Sequence, residues 1–341
     1  MRSTLPPPPR RPDPPPNPAA ASSLAPPPPR PDRRRDRTGW RLVRWFHVVA
    51  IAVAIVTSIV FGYGEAGGIV ALFIIIVPFE KMFRRHDQRI RRPGLRTDLT
   101  YAIVSPVLNV AGVVAGVVLA VAFFPLFLPA LALRPLVLGQ PGWLIATEAI
   151  LLLDILIYWT HRLSHEVGFF WRFHSIHHSS EKMDWISGVR AHPLDGVIIA
   201  VPAVFLIVAG FDIEVVGIAA VIQAVLGLAA HANVRWRLRP LHRIVMTPEF
   251  HHWHHANHPE SIHTNYSVFL PLWDIVWGTY YMPADRRPQV YGQSENTPPS
   301  VPAQMLAPFS KPMRERYPFP PAWRARLLRL VPFRRRTVAA S

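Results

Sequence analysis

The sequence contains no cysteine among its 341 residues. This absence excludes disulfide bonds, iron–sulfur clusters, thiolate zinc sites and cysteine nucleophiles. Any metal site in the chain must therefore be built without thiolate ligands. The compartment cannot be inferred from cysteine usage, which is the usual indicator of an oxidising environment.

Acidic residues are scarce: 21 aspartates and glutamates stand against 37 lysines and arginines, and the net charge is +16. Such a charge is common in nucleic-acid-binding proteins, but the basic residues here are mostly arginines that flank apolar runs. That distribution follows the positive-inside rule of membrane proteins, and the chain carries no recognised DNA- or RNA-binding module. We expect the membrane and its lipids as partners, and no nucleic acid.

Long uncharged apolar runs are abundant, and half of the residues are hydrophobic. We predict an all-α integral membrane protein. The predicted helices cover residues 45–62, 68–80, 99–128, 143–163, 195–211 and 213–230. The first, fourth and sixth have the length of a membrane span, the second is short, and prolines bend or divide the third. A three-residue connection joins the last two in a tight hairpin.

Composition divides the chain into four regions. Residues 1–38 are rich in proline and arginine, cannot bury a core, and are predicted to be a disordered tail. Residues 39–142 hold the first membrane helices, and residues 143–285 form a second membrane-embedded domain that contains most of the histidines. Residues 286–341 are predicted to be a basic, proline-rich tail that lies on anionic lipid.

The arginine distribution predicts the orientation of these helices. Arginines are dense in residues 33–44 and 81–96, whereas the loops at 63–67 and 134–142 carry one charge each. The positive-inside rule then places the amino terminus and the 81–98 loop in the cytoplasm. Helix 143–163 consequently delivers its carboxyl end to the cytoplasmic face, and the hairpin begins and ends on that face.

Fourteen of the 16 histidines lie between His161 and His263, and eight of these form three short clusters. The eight are His161, His165, His174, His177, His178, His251, His254 and His255. Residues three or four apart share one face of a helix, and neutral imidazole is a common metal ligand. Because eight ligands exceed the need of one tetrahedral ion, the spacing predicts two metal ions at the cytoplasmic face.

Other histidines are weaker candidates. His192 and His231 stand alone in the sequence but fall at the same predicted face, so we include both as possible ligands. His252 points about 100° away from His251 on a helical wheel and is placed outside the ligand set. His258 is left open, because Pro259 ends the predicted helix there.

Asp154, Tyr158, His161 and His165 form one stripe on the fourth helix. A carboxylate inside an apolar helix is costly and usually has a paired or functional role. We predict that Asp154 accepts the free ring N–H of a ligand histidine and so fixes its tautomer. The alternative is an ion pair with an arginine from another helix.

An all-nitrogen donor set suits late first-row ions, and imidazole binds both iron and zinc. A hydrolase of the His-Glu-x-x-His type is not indicated, because Phe169 stands where the second histidine would follow His165 and Glu166. Two irons with an open position for O₂ are able to oxidise an unactivated C–H bond, and the membrane helices would supply an apolar slot for an alkyl chain.

The three clusters resemble the H-x3-H, H-x2-H-H, H-x2-H-H pattern of the sterol desaturase/fatty acid hydroxylase superfamily of membrane diiron enzymes. The stretch Asp154-x3-Tyr158-Trp159-x-His161-Arg162 is similar to the family's approach to its first cluster. The stretch Asn265-Tyr266, followed by Trp273-Asp274-x3-Gly278-Thr279, is similar to the segment after its third. The resemblance covers residues 145–282, with Thr264 and Trp277 as departures from the commoner pattern.

The resemblance implies a helical, O₂-dependent oxygenase in which the eight cluster histidines hold two irons. His231 matches a histidine that many members have, and His192 precedes a proline as in sterol-oxidising members. Glu166, Asn265 and Asp274 join Asp154 as candidates for residues that support the ligands. Glu166 and Asn265-Tyr266 are more similar to the alkylglycerol monooxygenase branch and its bacterial relatives, so we expect a multi-pass protein of a bacterial inner membrane.

No cytochrome b5 module is visible, so we expect electrons from a separate donor: a cytochrome b5-like protein, a ferredoxin or a reductase. The leading hypothesis is hydroxylation of an aliphatic C–H bond in a sterol, fatty acyl or alkylglycerol lipid. Desaturation of a sterol-like lipid by the same site is an alternative. Two further functional classes are a histidine-rich membrane protein that handles metal without catalysis and a zinc-dependent membrane hydrolase. Proteins that carry metal usually hold their histidines in irregular loops, whereas the histidines of this chain are spaced as on a helix.

Overall fold

The computed structural model describes residues 76–89, 91–293 and 297–317. Residues 76–82 are helical. The α-helices that follow are α1 (Leu95–Ala122), α2 (Leu128–Leu131), α3 (Arg134–Leu138), α4 (Gly142–Glu166), α5 (Gly168–His174), α6 (Pro193–Val208), α7 (Ile213–Ala230), α8 (Pro248–His254), α9 (Leu272–Trp277), α10 (Val301–Leu306) and α11 (Lys311–Arg316). The described residues contain no β-strand, so the prediction of an all-α protein is confirmed.

Two of the described helices, α4 and α7, are long and apolar enough to cross a membrane, with 25 and 18 residues. They match the predicted helices 143–163 and 213–230 closely, because uninterrupted apolar sequence of about 20 residues is a strong signal. The predicted helix 45–62 lies outside the described residues. So does the predicted helix 68–80, apart from its helical residues 76–80.

The predicted helix 99–128 breaks earlier than its apolar composition indicates. α1 continues through position 106 to Ala122, and the helical pieces on either side of Phe123 are bent by 86°. Pro125 and Pro129 each stand in the first turn of the short helices that follow. Proline lacks a backbone N–H and is best tolerated in a first turn, which explains why the helix restarts at these positions.

The helical hairpin is present, although α6 is shorter than predicted and contains 16 residues. Gly210 makes the turn possible with a φ of +105°, a backbone conformation that residues with a Cβ rarely adopt. The Asp212 carboxylate then accepts a hydrogen bond from the Glu214 N–H (2.8 Å) and begins α7. Leu153 of α4, Leu206 of α6 and Val216 of α7 are buried in the core between the three helices.

One stripe of α1 presents large apolar side chains outward. Ile103, Val107, Val110, Val114 and Val118 are each more than half exposed. Their spacing of three or four residues places them on one helix face. A contiguous exposed apolar surface of this kind is unfavourable in water and marks contact with lipid or another apolar phase.

A buried ionic cluster holds the start of α1 against the loop that precedes α6. Asp98 is fully buried between two guanidinium groups, with Arg92 at 2.7 Å and Arg190 in a closer ion pair. Arg92 also contacts Asp184 at 2.5 Å. Because a buried charge is stable only with a partner, this cluster fixes the loop that carries Arg190.

The described part of the predicted carboxyl-terminal tail differs from the prediction, because residues 297–317 are folded onto the helices. Gln304 is buried and accepts a hydrogen bond from the Tyr101 hydroxyl of α1 (2.8 Å). The Tyr317 carbonyl accepts a hydrogen bond from the Arg172 Nε of α5 (2.7 Å). Proline-rich composition concealed these tertiary contacts, which involve single polar side chains and no periodic pattern.

We expect Gly112→Ala to destabilise the protein by about 1–3 kcal/mol. A Cβ at Gly112 would lie 2.8 Å from the backbone oxygen of Pro193, so α1 and α6 would have to separate. The thermal unfolding midpoint in detergent measures the effect. Gly217→Ala in α7 is the matched control, because a Cβ there meets no atom within 4 Å and alanine is the better helix former. Equal midpoints for the two variants would contradict the close helix contact.

Candidate metal centre

The first histidine cluster lies at the end of α4. His161 and His165 are four residues apart in this helix, so both rings project from one face. Their ring centroids are 5.1 Å apart. The helix ends at Glu166, the backbone is extended at Val167, and the chain then enters α5.

The second cluster is divided between two kinds of helix. His174 is the last residue of α5, whereas His177 and His178 begin a 3-10 turn. Successive residues of a 3-10 turn are rotated by about 120°, so the two adjacent rings diverge. Their ring planes are 83° apart. One cluster can therefore contribute ligands to two sites.

The third cluster lies on the short helix α8. Pro248 occupies the first turn, and the Thr247 hydroxyl accepts a hydrogen bond from the Phe250 N–H (3.3 Å). Both features favour a helix start at this position. His251 and His254 are within the helix and His255 directly follows it, so all three rings emerge from the last turn.

Nine histidines form two groups in which the ligand nitrogens lie within 4.8 Å of one another. The first group consists of His161, His165, His174, His178 and His254. The second group consists of His177, His231, His251 and His255. The eight cluster histidines and His231 are thus brought together, although each cluster except the first divides between the groups. The stacked rings of His178 and His255, with centroids 4.1 Å apart, join the two groups.

Hydrogen bonds fix the tautomer of most of these rings. The Nδ1 atom lies against a backbone carbonyl in four of them: His161 against Tyr266 (2.7 Å), His177 against Arg190 (3.0 Å), His231 against Gly227 (2.7 Å) and His254 against Thr264 (2.9 Å). A carbonyl oxygen can only accept, so Nδ1 carries the proton and the Nε2 lone pair is free to bind a metal.

His174 uses a carboxylate for the same purpose. Its Nδ1 lies 2.9 Å from Asp195 Oδ2, in the first turn of α6. A carboxylate in this position orients an imidazole and increases its basicity as a ligand. Asp195 is not among the residues predicted from the sequence. The available signal was an acidic residue two positions after Pro193, at the start of an otherwise apolar helix.

The free ring nitrogens fit a pair of metal ions. Nε2 of His165, His178 and His254 is buried without a hydrogen-bond partner among the described residues. In the second group, His251 Nε2 lies 3.2 Å from His231 Nε2 and 3.0 Å from His255 Nε2. Buried polar atoms without partners cost free energy, and cations bound between these nitrogens would remove that cost. Neutral imidazoles in this number suit late first-row metals.

Burial keeps the rings in the form that binds metal. Desolvation lowers the pKa of His177, His178, His251 and His255 well below the usual value, and it lowers the pKa of His231 to about 4. Neighbouring histidines add to the effect in the first four, because two imidazolium charges repel each other. These rings are consequently neutral at pH 7, which is the state that coordinates a cation.

Of the described histidines outside both groups, His192, His252 and His258 were considered as ligands or lie next to them in the sequence. His192, predicted as a possible ligand, uses both nitrogens elsewhere: Nδ1 accepts from the Leu194 N–H (3.0 Å) and Nε2 lies 3.1 Å from the Met305 carbonyl. It therefore caps α6 and is removed from the ligand set. His258 Nε2 accepts from the Gln289 N–H (3.3 Å). His252 is fully buried but points away from both groups.

Asp154 does not hold a histidine ring, so its predicted role is corrected. Its carboxylate accepts hydrogen bonds from the Phe269 and Leu270 N–H groups (3.1 Å each) and from Trp273 Nε1 (2.7 Å). It precedes His161 by seven residues, which is about 10 Å along a helix and beyond contact. No described arginine forms an ion pair with Asp154 either, and these three donors satisfy both of its oxygens.

Asp274 binds the same stretch of backbone as Asp154, and Asn265 belongs to that stretch and ties it to α8. Asp274 accepts hydrogen bonds from the Tyr266 and Ser267 N–H groups (2.8 Å each). Asn265 donates to the Phe250 carbonyl (3.0 Å) at the start of α8. We call residues 264–270 the strap. Because the strap supplies the carbonyls that hold His254 and His161, these polar residues position the ligands through the backbone.

Glu166 lies beside the first group without belonging to it. It forms an ion pair with Arg162 (2.8 Å) and lies 3.3 Å from the Tyr266 hydroxyl, which donates to it. The Tyr266 ring in turn contacts His165, with centroids 5.3 Å apart. Glu166 therefore fixes an aromatic wall of the centre.

Comparisons with known proteins agree with this geometry. The fatty acid hydroxylase family model matches residues 146–279, which contain all three histidine clusters. Ornithine lipid hydroxylase OlsE of Rhizobium tropici is 30% identical over 275 residues, which is 80% of this chain and 77% of the relative. No solved structure matches the chain.

Alkylglycerol monooxygenases match a smaller part. The enzyme of Caenorhabditis elegans is 29% identical over 156 residues, 42% of this chain and 29% of the relative. The enzyme of Danio rerio is 30% identical over 156 residues, 42% of this chain and 32% of the relative. The chain thus spans about a third of these relatives. The resemblance predicted from the histidine spacing, including its alkylglycerol monooxygenase component, is confirmed.

Replacing His231 and His192 by alanine separates a ligand from a helix cap. We expect His231→Ala to lower the metal content of the purified protein, because the second group loses one of its four nitrogens. His192→Ala loses a cap, which costs about 1 kcal/mol of stability, but it should retain its metal. Elemental analysis of both variants, purified in parallel, measures the difference. Metal loss in His192→Ala alone would contradict the grouping.

Asp195→Ala should weaken metal binding by roughly 10–100-fold, because His174 loses the acceptor that orients its ring. Asp195→Asn is the matched control, since its amide oxygen still accepts the Nδ1 proton and should retain most of the affinity. A chelator titration that follows metal release measures the metal affinity of both variants. If the asparagine variant lost metal as readily as the alanine variant, the carboxylate charge rather than the hydrogen bond would be the essential property.

Proposed function

The chain belongs to the fatty acid hydroxylase family, and we propose that it is a membrane oxygenase that uses two non-haem irons and O₂ to hydroxylate an aliphatic C–H bond of a lipid. The observation that carries the proposal is the pair of adjacent groups of neutral imidazoles at the ends of apolar helices. A fold that holds nine such rings together bears a large desolvation cost, which metal binding offsets.

The first group would hold one iron and the second group the other. Five and four nitrogens respectively are available, so the first site is the better filled and the second retains more room for a small ligand. When bound and reduced, two irons held there would supply the redox chemistry that activates O₂ toward an unactivated C–H bond. The overall reaction consumes one O₂, two electrons and two protons, and it yields one hydroxylated carbon and one water.

The protein's own residues orient the centre and exclude water from it. The carbonyls of the strap and the Asp195 carboxylate keep the rings in one tautomer and one direction. Aromatic side chains cover the first group: the Trp171 ring lies 5.1 Å and the Tyr266 ring 5.3 Å from His165. Apolar walls of this kind would admit an alkyl chain in place of water, and the exclusion of water would prevent side reactions of the oxidant.

Several features support a lipid as the substrate. Three of the nine grouped histidines stand near the ends of the two described helices that can span a membrane: His161 and His165 on α4, and His231 directly after α7. The acyl region of a bilayer would therefore adjoin the site. Related proteins are an ornithine lipid hydroxylase and alkylglycerol monooxygenases. We therefore propose a membrane lipid with an aliphatic chain, of the fatty acyl, alkylglycerol or sterol class.

The arginine distribution supports the proposed setting in a bacterial inner membrane, with several spans and the centre on the cytoplasmic side. Soluble reductants are available on that side. The electrons would come from a separate redox protein or reductase.

Metal analysis and oxygen consumption test the proposal together. Protein purified from iron-replete cells should contain close to two irons per chain and consume O₂ only with reductant and lipid. Lipid extracts from hosts with and without the chain, compared by mass spectrometry, should differ by a species that has gained one oxygen atom. Stoichiometric zinc with no O₂ consumption would overturn the proposal in favour of a hydrolase or a metal-handling protein. Loss of two hydrogens instead of a gain of oxygen would favour the desaturase alternative.

A further inference from the structure

A buried histidine outside both metal groups begins a path from the centre to the surface. His252 is fully buried and directly follows His251 of the second group. Its Nε2 lies 3.4 Å from the backbone carbonyl of His231, a second member of that group. His252 is thus the direct neighbour of one candidate ligand in the chain and contacts another, yet it belongs to neither histidine group.

The other side of the His252 ring faces outward. Its Nδ1 lies 3.4 Å from the Tyr291 hydroxyl and 3.1 Å from Arg85 Nη1. The same hydroxyl lies 2.9 Å from His86 Nε2, and His86 is half-buried at the surface. The rings of His252, Tyr291 and His86 also meet edge to face, with centroids 5.7 and 5.4 Å apart.

Cations surround the outer end of this path. Burial, together with the charges of Arg85, Lys182 and Arg287, lowers the pKa of His86 to about 4. Exposed Arg84 and Arg235 lie on neighbouring segments that are joined by the Arg235 N–H bond to the Phe83 carbonyl (2.7 Å). We call Arg84, Arg85, Lys182, Arg235 and Arg287 the basic face.

Acidic residues near the basic face do not cancel its charge. Asp87 pairs with Arg84 at 3.3 Å and is itself exposed, and Glu181 is exposed next to Lys182. Glu249 is buried and pairs with Arg287 at 3.0 Å. The exposed surface retains a positive excess, which attracts acidic partners and accelerates their association at low ionic strength.

We propose that the basic face docks an acidic one-electron carrier protein, and that the rings of His86, Tyr291 and His252 couple its redox group to the second histidine group. The inference rests on the proposed function, because an oxygenase needs two electrons from outside for each turnover. Two reduced carriers bind in succession, each loses one electron and leaves oxidised. Two protons from solvent complete the balance, and one oxygen atom of O₂ leaves as water.

An acidic protein fits this face better than lipid does. A lipid headgroup would satisfy the arginines but would give no reason for a continuous line of aromatic rings beneath them. Redox encounters use small interfaces, commonly under about 1,200 Å² in total, and depend on charge for their rate. The basic face has the matching charge: three of its cations act on the half-buried His86 ring, and exposed Arg84 and Arg235 lie on the adjoining segments.

Binding is tested with plant-type [2Fe–2S] ferredoxin, an acidic one-electron carrier, and the iron-loaded protein in phosphatidylcholine nanodiscs. Wild type should bind ferredoxin with an affinity that falls as salt rises. The variant Arg84→Glu/Arg235→Glu should bind roughly tenfold more weakly, because both charges act on association. Lys311→Glu/Arg314→Glu on α11 is the matched control with the same change of charge, and it should bind like wild type. Cytochrome c, a basic carrier, should not bind.

Coupling is tested with Tyr291→Phe, which keeps the ring and removes the hydroxyl between His86 and His252. Its affinity for ferredoxin should equal that of wild type, whereas the anaerobic oxidation of bound, reduced ferredoxin should be severalfold slower. A structural role alone would alter both quantities or neither. An unchanged oxidation rate would overturn the assigned path.

The outcomes also separate this inference from the proposed function. The docking surface would be refuted if both charge-reversal variants bound ferredoxin equally weakly. It would also be refuted if wild type lost ferredoxin binding when phosphatidylglycerol is added to the discs, because that result would show that lipid covers the basic face. Wild type that hydroxylates lipid with dithionite but binds no ferredoxin refutes the surface alone. Wild type that binds ferredoxin but hydroxylates nothing refutes the proposed function and leaves the surface standing.

Discussion

An imidazole presents one nitrogen to a metal in a defined direction when a hydrogen bond holds its other nitrogen, and the centre depends on this constraint. Five of the nine rings meet it with an identified acceptor. The acceptors are the carbonyls of Arg190, Gly227, Thr264 and Tyr266 and the carboxylate of Asp195. Because four of the five acceptors are backbone carbonyls, the position of each of those histidine rings depends on the position of the backbone that carries its acceptor. Buried polar side chains that hold this backbone therefore also position the rings.

The strap illustrates this indirect control. Asp154 and Asp274 are buried carboxylates that accept backbone N–H groups of residues 266–270, and Asn265 ties the strap to α8. On the opposite side, Arg190 is held by Asp98, and its carbonyl holds His177. Charges in the apolar interior are costly. Here Asp274 binds the N–H of Tyr266 and Asp98 binds the side chain of Arg190, and the carbonyls of those two residues hold His161 and His177.

The sequence predicted the parts of this structure that depend on periodicity. Long apolar runs located α4 and α7, and spacing located eight of the nine grouped histidines, with His231 as a candidate. It did not reveal the roles of Asp154, His192 and Asp195. Each of these side chains is defined by one partner far away in the chain, and neither hydropathy nor spacing records such a contact. The division of the second and third clusters between two groups was equally hidden, because it follows from a local change of helix type.

The grouped histidines come from five separate elements: α4, α5, a 3-10 turn, the end of α7, and α8. No single element therefore contains either group. His161 and His254 meet with ring centroids 4.5 Å apart although 93 residues separate them. The unfolded chain consequently has no equivalent site, and metal binding is linked to folding. A ligand that binds only the native state adds roughly 4 kcal/mol at a thousandfold excess over its dissociation constant. Cellular metal supply would thus govern how much of this protein persists, in addition to how much of it is active.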